Sequence, residues 1–239
     1  MEEPTILKAL AAAGIGSRRR LAEAIKQGKV TLNGQPVADF RQPVKASDVI
    51  LIDGQRVSLK AESKTYLMLN KPVGILSART DERGGKTAID ILPPKYRKLR
   101  LYPAGRLDKD SSGLLLLTND GELTYKLTHP RYQHEKEYLI YIKIELTTDE
   151  MARLEKGVLL EDGLTAPAKV KAVSRAPYNY SITIHEGRKR QIRRMLASLG
   201  HQVVELKRVR LGSLRLGELK VGEVRAMGAG EAGKALKNP

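Results

Sequence analysis

The chain has 239 residues, of which 41% are apolar, so it is long enough for one sizeable domain plus a small one and too apolar for wholesale disorder. Lysine and arginine number 43 against 27 aspartates and glutamates, a formal net charge of +16, which favours nucleic acid as partner over an anionic membrane or a merely soluble surface. The absence of cysteine excludes disulfides, thiolate catalysis and zinc bound by cysteine. The acidic start MEEPTILKAL is unlike a signal peptide and no apolar run reaches ~20 residues, so we expect a cytoplasmic protein that does not bind membranes.

Residues 5–57 predict a small module of two helices and short strands. Apolar residues at helical spacing open the segment, and a second helix begins at a Ser17 cap and ends at Gly28. Asn-Gly at 33–34 and Asp-Gly at 53–54 each join two β-prone runs, which is typical of tight hairpins. A core of this size is small for a domain that folds alone.

The pattern divides the chain into domains. We predict a small domain at 1–60, a polar linker at about 58–64, a larger domain at 65–228 and a flexible tail at 229–239. In the larger domain strands and short helices alternate irregularly rather than as regular βαβ units. This pattern predicts an α+β fold built on a mainly antiparallel mixed sheet.

The segment GRLDKDSSGLLLLTNDG at 105–121 carries a candidate site. Leu114 to Leu117 form a continuous apolar run, which predicts a buried strand. Arg106 and Asp108 lie in the loop just before it, where a rigid scaffold presents side chains to solvent. By itself an Arg-x-Asp pair is more often a surface ion pair than a site, so both readings stay open at this point.

Basic residues cluster in the small module. Arg18, Arg19 and Arg20 fall in the first turn of the second helix, where their charge opposes the helix dipole. A bound phosphate would relieve this conflict; the alternative is a solvated helix face. Other candidate RNA contacts in the module are Lys26, Lys29 and Asn33.

A second basic cluster lies near residue 190. Arg190, Arg193 and Arg194 share one face of a predicted helix, which fits either a solvated face or a clamp for phosphate and carboxylate groups. Further candidate RNA contacts in the larger domain are Lys71 and Arg188.

No metal or cofactor site is predicted. His129, His134, His185 and His201 lack metal-ligand spacing. The glycine pattern at 228–233 matches a dinucleotide fingerprint in letters, but no βαβ unit surrounds it.

Four segments, in this order along the chain, resemble the RsuA/RluB/RluE/RluF-type family of pseudouridine synthases. Asn70-Lys71-Pro72-Val73-Gly74 is similar to its first motif, and 105–121 strongly resembles its signature. Glu135-Lys136-Glu137-Tyr138 is similar to its Lys-x-Tyr motif, and 186–196 to its third motif. The wording of these motifs is closest to the RluB-like members. The resemblance spans nearly the whole chain.

This resemblance implies an isomerase that converts a uridine in ribosomal RNA to pseudouridine without a cofactor. It places the catalytic aspartate at Asp108, the active-site tyrosine at Tyr138 and the basic partner of the aspartate at Arg193. Arg106 would fill the gap left by the flipped base. The RluB-like wording implies 23S rRNA of the large subunit as the target. We also expect that this RNA is bound as naked RNA or as an assembly intermediate and that the enzyme is a monomer.

Residues 5–57 resemble the S4-type RNA-binding domain, through Gly16 to Arg19 and Val30 to Gly34. This implies that the module delivers the enzyme to RNA. One alternative is an RNA-binding or ribosome-assembly factor without activity, but intact Asp108, Tyr138 and Arg193 argue against it. A sugar hydrolase would need paired carboxylates, which the sequence offers only weakly, at Asp110 and Asp120.

Overall fold

A computed structural model describes residues 3–239, and the chain divides into two compact units, Met1–Lys64 and Thr65–Pro239. The first unit packs two helices on a four-stranded sheet of order β2-β1-β3-β4. Its elements are α1 (Ile6–Ala12), α2 (Arg18–Lys26), β1 (Val30–Leu32), β2 (Gln35–Pro36), β3 (Ile50–Ile52) and β4 (Gln55–Val57).

Local chemistry accounts for the elements of this first unit. The Ser17 hydroxyl accepts a hydrogen bond from the Arg20 amide and begins α2, as predicted. Asn33 and Gly34 both have positive φ, as do Asp53 and Gly54, which is the backbone of the tight turns expected at these dipeptides. Both hairpin predictions are therefore confirmed.

The second unit is built on one large sheet. The strands of this unit are β5 (Tyr66–Lys71), β6 (Tyr102–Pro103), β7 (Ser112–Thr118), β8 (Lys136–Ile142), β9 (Leu159–Leu160), β10 (Gly163–Leu164), β11 (Lys169–Arg175), β12 (Tyr178–Ile184), β13 (Val203–Leu211), β14 (Leu214–Arg215) and β15 (Val224–Met227). Of these, β9 and β10 form a separate two-stranded sheet, and the others belong to the large sheet. Its helices are α3 (Pro94–Arg97), α4 (Gly121–Thr128), α5 (Thr148–Lys156), α6 (Gln191–Ala197) and α7 (Ala229–Ala232), with 3-10 turns at Pro130–Tyr132 and Gly233–Leu236. No helix described within residues 3–239 is both long enough and apolar enough to cross a membrane.

The large sheet is mainly antiparallel. Its strand order is β11-β12-β8-β13-β7-β5-β15, and along this path β13 and β7 pair in parallel. The other neighbours on the path pair antiparallel, and the helices pack against the sheet, so the predicted α+β class is confirmed.

The leucine run at 114–117 lies in the middle of this sheet, in β7. Leu115 and Leu117 enter a larger core that includes residues of α5 and α6, whereas Leu114 and Leu116 enter a second core that includes residues of α4 and α7. Successive strand residues point to opposite faces, and both faces are covered, which explains why the run is apolar without alternation.

The contact between β7 and β13 requires glycine at position 113. Gly113 has φ +105°, and a Cβ atom there would lie 2.2 Å from the carbonyl oxygen of Arg208. The start of β7, and with it the preceding loop, is therefore fixed tightly against β13.

The last residues do not form the flexible tail predicted for 229–239. Ala232 and Ala235 are fully buried in the second core, with Leu236 partly buried beside them. The amide of Ser213 donates to the carbonyl of Lys234 at 2.9 Å. The prediction was wrong because small alanines in a glycine-rich segment carry little apolar signal, although they pack closely in a helical turn.

Candidate active site

A cleft of about 750 Å³ opens in the second unit. Its wall combines the loop before β7, the segment before and into β8, the segment leading into α6, and β13. Of the predicted site residues, it brings together Arg106, Asp108, Tyr138, Arg188 and Arg190.

The loop that carries Asp108 is held firmly on both sides of that residue. The Leu107 side chain is buried, and its backbone amide and carbonyl both bond to the Ser77 hydroxyl, at 3.0 and 2.9 Å. On the other side the Ser111 amide donates to the Asp108 carbonyl at 3.1 Å. The backbone of Asp108 is thus fixed by groups that leave its side chain free.

The Asp108 carboxylate is half-buried in the wall of this cleft. Within residues 3–239, no hydrogen bond or ion pair joins it to another side chain or amide. A carboxylate that is positioned but unpaired can act on a bound molecule without first breaking an internal bond.

Arg193 binds Asp110, which corrects the predicted direct pairing with Asp108. Its Nε lies 3.3 Å from Asp110 Oδ2, and its Nη2 donates to the Asp110 carbonyl at 2.8 Å. Its Nη1 donates to the carbonyl of Val203 at 2.8 Å, and Arg190 adds a second guanidinium 2.8 Å from Asp110 Oδ2. The two acids lie two residues apart in one loop, and sequence spacing does not reveal which of them faces α6.

Electrostatics nevertheless couple Arg193 to both acids. Burial lowers the pKa of Arg193, whereas the charges of Asp110 and Asp108 raise it, so both carboxylates are within its electrostatic reach. Burial raises the pKa of Asp110, but the hydrogen bond from Arg190 and the charges of Arg193 and Arg190 outweigh burial and leave it below its usual value.

Tyr138 lies on β8 where the larger core meets the cleft. It is 8% exposed, and its strand neighbours are Ile182 of β12 and Arg208 of β13. The ring is therefore held by packing on two sides and presents one part to the cleft.

Arg208 is a site residue that the sequence did not single out. Its guanidinium is 2% exposed; Nε donates to the carbonyl of Leu114 at 2.8 Å and Nη1 to that of Arg106 at 3.4 Å. Its Nη2 is buried without a hydrogen-bond partner in the described part of the chain. Charged residues at inward positions of a strand such as VVELKRVRL are the pattern that could have found it, because an unpaired buried charge is costly.

Lys136 adds a second cation to the cleft. Its Nζ donates to the carbonyl of His134 at 2.9 Å. Burial, followed by the nearby charge of Arg208, lowers the pKa of Lys136 to about 8, against a smaller opposing effect of Glu186. Across residues 3–239 no group of three or more histidine, aspartate or glutamate side chains is arranged to hold a metal ion.

Lys71 was predicted to contact RNA, but its side chain is fully buried and is not available to RNA. Its Nζ donates to the carbonyls of Pro72 and Ile75, at 2.9 and 2.8 Å. Burial lowers the pKa of Lys71 to about 8, and the charges of Asp110 and Asp108 oppose that change. Lys71 therefore anchors the chain after β5 beneath the two acids.

Two of the predicted phosphate contacts near residue 190 are already engaged within the chain. Arg188 donates to the carbonyls of Gly163 and Leu164 and so holds the β9–β10 hairpin. Arg194 forms a bidentate salt bridge with Asp162, with Nη1 2.9 Å from Oδ1 and Nη2 3.0 Å from Oδ2. These two arginines stabilise the β9–β10 hairpin rather than present a free charge to phosphate.

Most of the predicted RNA contacts of the first unit are exposed, but one of them is bonded within the chain. Its arginines at 18–20, Lys26 and Lys29 are exposed, and Arg19, Arg20 and Lys29 line a separate cleft of about 570 Å³ within this unit. The Asn33 side chain instead donates to Asp48 and accepts from the Val49 amide, so it shapes the turn.

Comparisons with known proteins agree with this architecture. Residues 65–198 match the family model for RNA pseudouridylate synthase, and residues 6–50 match the S4 domain. The ribosomal large subunit pseudouridine synthase B of Bacillus subtilis (strain 168) is 45% identical over 205 residues, which cover 84% of this chain and 82% of that one. An uncharacterized RNA pseudouridine synthase of Aquifex aeolicus (strain VF5) is 37% identical over 240 residues, which cover 99% of this chain and 95% of that one. A crystal structure of pseudouridylate synthase superposes with a TM-score of 0.69 at 33% identity, covering 98% of this chain and 100% of that one.

Proposed function

Because the chain belongs to the RNA pseudouridylate synthase family, we propose that its cleft isomerises a uridine of large-subunit ribosomal RNA, with Asp108 as the reacting carboxylate. The observation that carries this assignment is the unpaired Asp108 side chain, fixed in the cleft wall by the bonds of its neighbours. Asp110 lies two residues away in the same loop, but two arginines already occupy its carboxylate.

The reaction is an isomerisation, so no atom is gained or lost overall. The bond between uracil N1 and ribose C1′ breaks, the base turns, C5 bonds to C1′ and the C5 proton is released while N1 gains one. Asp108 attacks or electrostatically supports the electron-poor ribose carbon, and the cations Lys136 and Arg208 balance the negative charge on the detached uracil. Redox chemistry and nucleotide hydrolysis have no part in this sequence of bonds.

The other cleft residues hold the substrate in place. Tyr138 packs against the extruded base, since its ring is fixed by the core on one side and open to the cleft on the other. Arg106 is exposed at the cleft and fills the space that the base leaves in the RNA helix. Arg193 and Arg190 secure the loop through Asp110 and add positive charge near Asp108. Extrusion costs a few kcal/mol, which phosphate contacts offset.

Three finer points belong to the same proposal. The target is 23S rRNA, as naked RNA or an assembly intermediate, because the Bacillus subtilis relative of similar length is named for the large subunit. The enzyme acts as a monomer in the cytoplasm. The exposed basic residues of the first unit, at 18–20, 26 and 29, bind RNA phosphates.

Tritium release tests the function directly. An unmodified 23S rRNA transcript labelled with tritium at uracil C5 should release one tritium per target uridine, in buffer with a chelator and no nucleotide cofactor. A 16S transcript labelled in the same way is the matched control. Release from 16S alone would overturn the large-subunit target, and release from neither RNA would count against the proposed activity.

A further inference from the structure

Four aromatic rings and one arginine form a cluster at the edge of the cleft, here called the stacking patch: Tyr125, His129, Arg131, Tyr132 and His134. Tyr125 lies 5.0 Å from His129 and 6.3 Å from Tyr132 between ring centroids. Tyr132 and His134 are nearly parallel, at 12° and 5.9 Å. The residues come from α4, the following 3-10 turn and the segment leading to β8.

Arg131 lies over two rings of the patch. Its Cζ is 4.6 Å from the Tyr132 centroid and 5.4 Å from the Tyr125 centroid, and its Nη2 donates to the Tyr132 hydroxyl. In the described part of the chain it forms no ion pair with a carboxylate. The planar cation is thus held against aromatic faces with its charge available to an anion.

The two histidines of the patch have structural roles, since His129 caps the 3-10 turn and buried His134 bonds to the Lys126 carbonyl. Packing of the fold does not account for the two tyrosine rings. Tyr125 is 47% exposed, and neither Tyr125 nor Tyr132 belongs to any of the three cores of residues 3–239. Other tyrosines of the chain, such as Tyr66, Tyr138 and Tyr180, are almost completely buried. Asp120 already caps α4, so the helix does not need exposed tyrosine rings for its stability. An exposed aromatic cluster of this kind is typical of a binding surface.

The patch is continuous with the proposed active site. His129 and His134, with Pro130 and Gln133 between them, line the same cleft as Asp108. A uridine bound at Asp108 therefore places its neighbours in the RNA strand near the patch. Unpaired RNA bases are recognised mainly by stacking on aromatic rings and arginine planes, which is the chemistry present here.

We propose that the stacking patch binds an unpaired nucleobase of the substrate RNA that neighbours the target uridine, with Arg131 contacting its phosphate. The inference rests on the proposed RNA substrate, but not on which acid performs the reaction. It assigns to these residues part of the choice of substrate, because a target uridine flanked by a paired strand could not fill the patch.

The absence of tryptophan from the sequence allows a direct test. A Tyr132→Trp variant carries a single indole in the patch, and its fluorescence should be quenched when an unmodified 23S rRNA transcript binds. Tyr96→Trp is the matched control, since Tyr96 also has a cation nearby, Lys95 Nζ at 4.9 Å, but packs on the larger core and lies outside the stacking patch. Equal quenching at both positions, or none at Tyr132→Trp although RNA binds, would overturn the proposal.

Affinity gives a second readout. Replacing both Tyr125 and Tyr132 with leucine should weaken binding of the 23S transcript by roughly 10-fold or more, while the corresponding phenylalanine pair, which keeps the rings, should bind within about 2-fold of the parent. The slope of log affinity against log salt should stay unchanged in the phenylalanine pair, because its rings still hold Arg131 and its phosphate contact. Unchanged affinity of the leucine pair, or equal losses in both pairs, would contradict stacking.

The result is separable from the proposed catalytic role. Tyr132→Trp combined with Asp108→Asn should still be quenched by RNA, since binding does not require the reaction. Quenching together with full isomerisation by the Asp108 variant would refute the catalytic assignment and leave the patch intact. Loss of isomerisation without any quenching would refute the patch alone.

Discussion

Substituting asparagine for Asp108 and for Asp110, one at a time, distinguishes a role in the reaction from a role in stability. Asp108→Asn should abolish isomerisation, because an amide cannot supply the negative charge that the ribose carbon requires, and should leave RNA affinity within a few-fold. Asp110→Asn should retain measurable turnover. The two variants are matched in chemistry and position, since both side chains are half-buried and lie two residues apart.

The variant that loses more activity is expected to lose less stability. Asp108 has no internal partner within residues 3–239, so its substitution should change the free energy of unfolding by less than about 0.5 kcal/mol. Asp110 loses its ion pairs with Arg190 and Arg193, but its side chain is 41% exposed, and screening limits the loss to about 1 kcal/mol. That loss corresponds to roughly 2–4 °C in the melting temperature of a domain of this size.

Single-turnover tritium release and thermal unfolding measure the two effects on the same preparations. Residual product formation by Asp108→Asn above a few per cent of the parent enzyme would refute its role. Complete inactivity of a folded Asp110→Asn variant, with normal turnover by the Asp108 variant, would exchange the roles of the two acids. A large destabilisation by Asp108→Asn would reveal an internal partner that the described contacts do not contain.

Three further predictions concern charge and the end of the chain. The lowered pKa of Lys136 means that its ammonium is lost as the pH rises through about 8, so the rate of isomerisation should fall above that pH; since Lys71 has a similarly lowered pKa, Lys136→Arg should reduce the decline, and an undiminished decline would contradict the assignment. Glutamine at 18–20 should make the slope of log affinity against log salt shallower by about 0.7–0.9 per lost phosphate contact, and an unchanged slope would mean that these side chains do not touch RNA. Removing 229–239 deletes the buried Ala232 and Ala235, exposes the second core against which they pack and should cost about 2–4 kcal/mol of stability, whereas an unchanged melting temperature would restore the flexible tail.

Features set by neighbours in sequence could be predicted well. The Ser17 cap and the turns at 33–34 and 53–54 depend only on local backbone preferences, which the residue types reveal. The leucine run at 114–117 indicated burial on both faces, and the sheet provides it. The resemblance of spaced motifs supplied the family, which the comparisons confirm.

Features set by distant residues could not be predicted. Lys71 looks like a surface cation in sequence, but strand pairing buries it beneath the cleft. Spacing alone could not decide which acid of the loop meets Arg193, because that choice depends on how α6 packs near the loop. Arg188 and Arg194 belong to a basic run, yet the β9–β10 hairpin, some thirty residues earlier in the chain, occupies their guanidiniums.

The distribution of cations also changes what the net charge of +16 means. Several arginines are paired with internal acids and contribute little to the field around the protein. Lys71 and Arg208 are buried and in the described chain have no carboxylate as hydrogen-bond partner, while Asp108 and Asp110 lie near Lys71. The charges of Lys71 and Arg208 are weakly screened at this depth, so these two residues favour anions in the cleft more strongly than two surface lysines would. Of the two, Arg208 lines the cleft, and in the proposed reaction it balances the negative charge of a uracil detached from its ribose, so buried charge would serve the reaction as well as the approach of RNA.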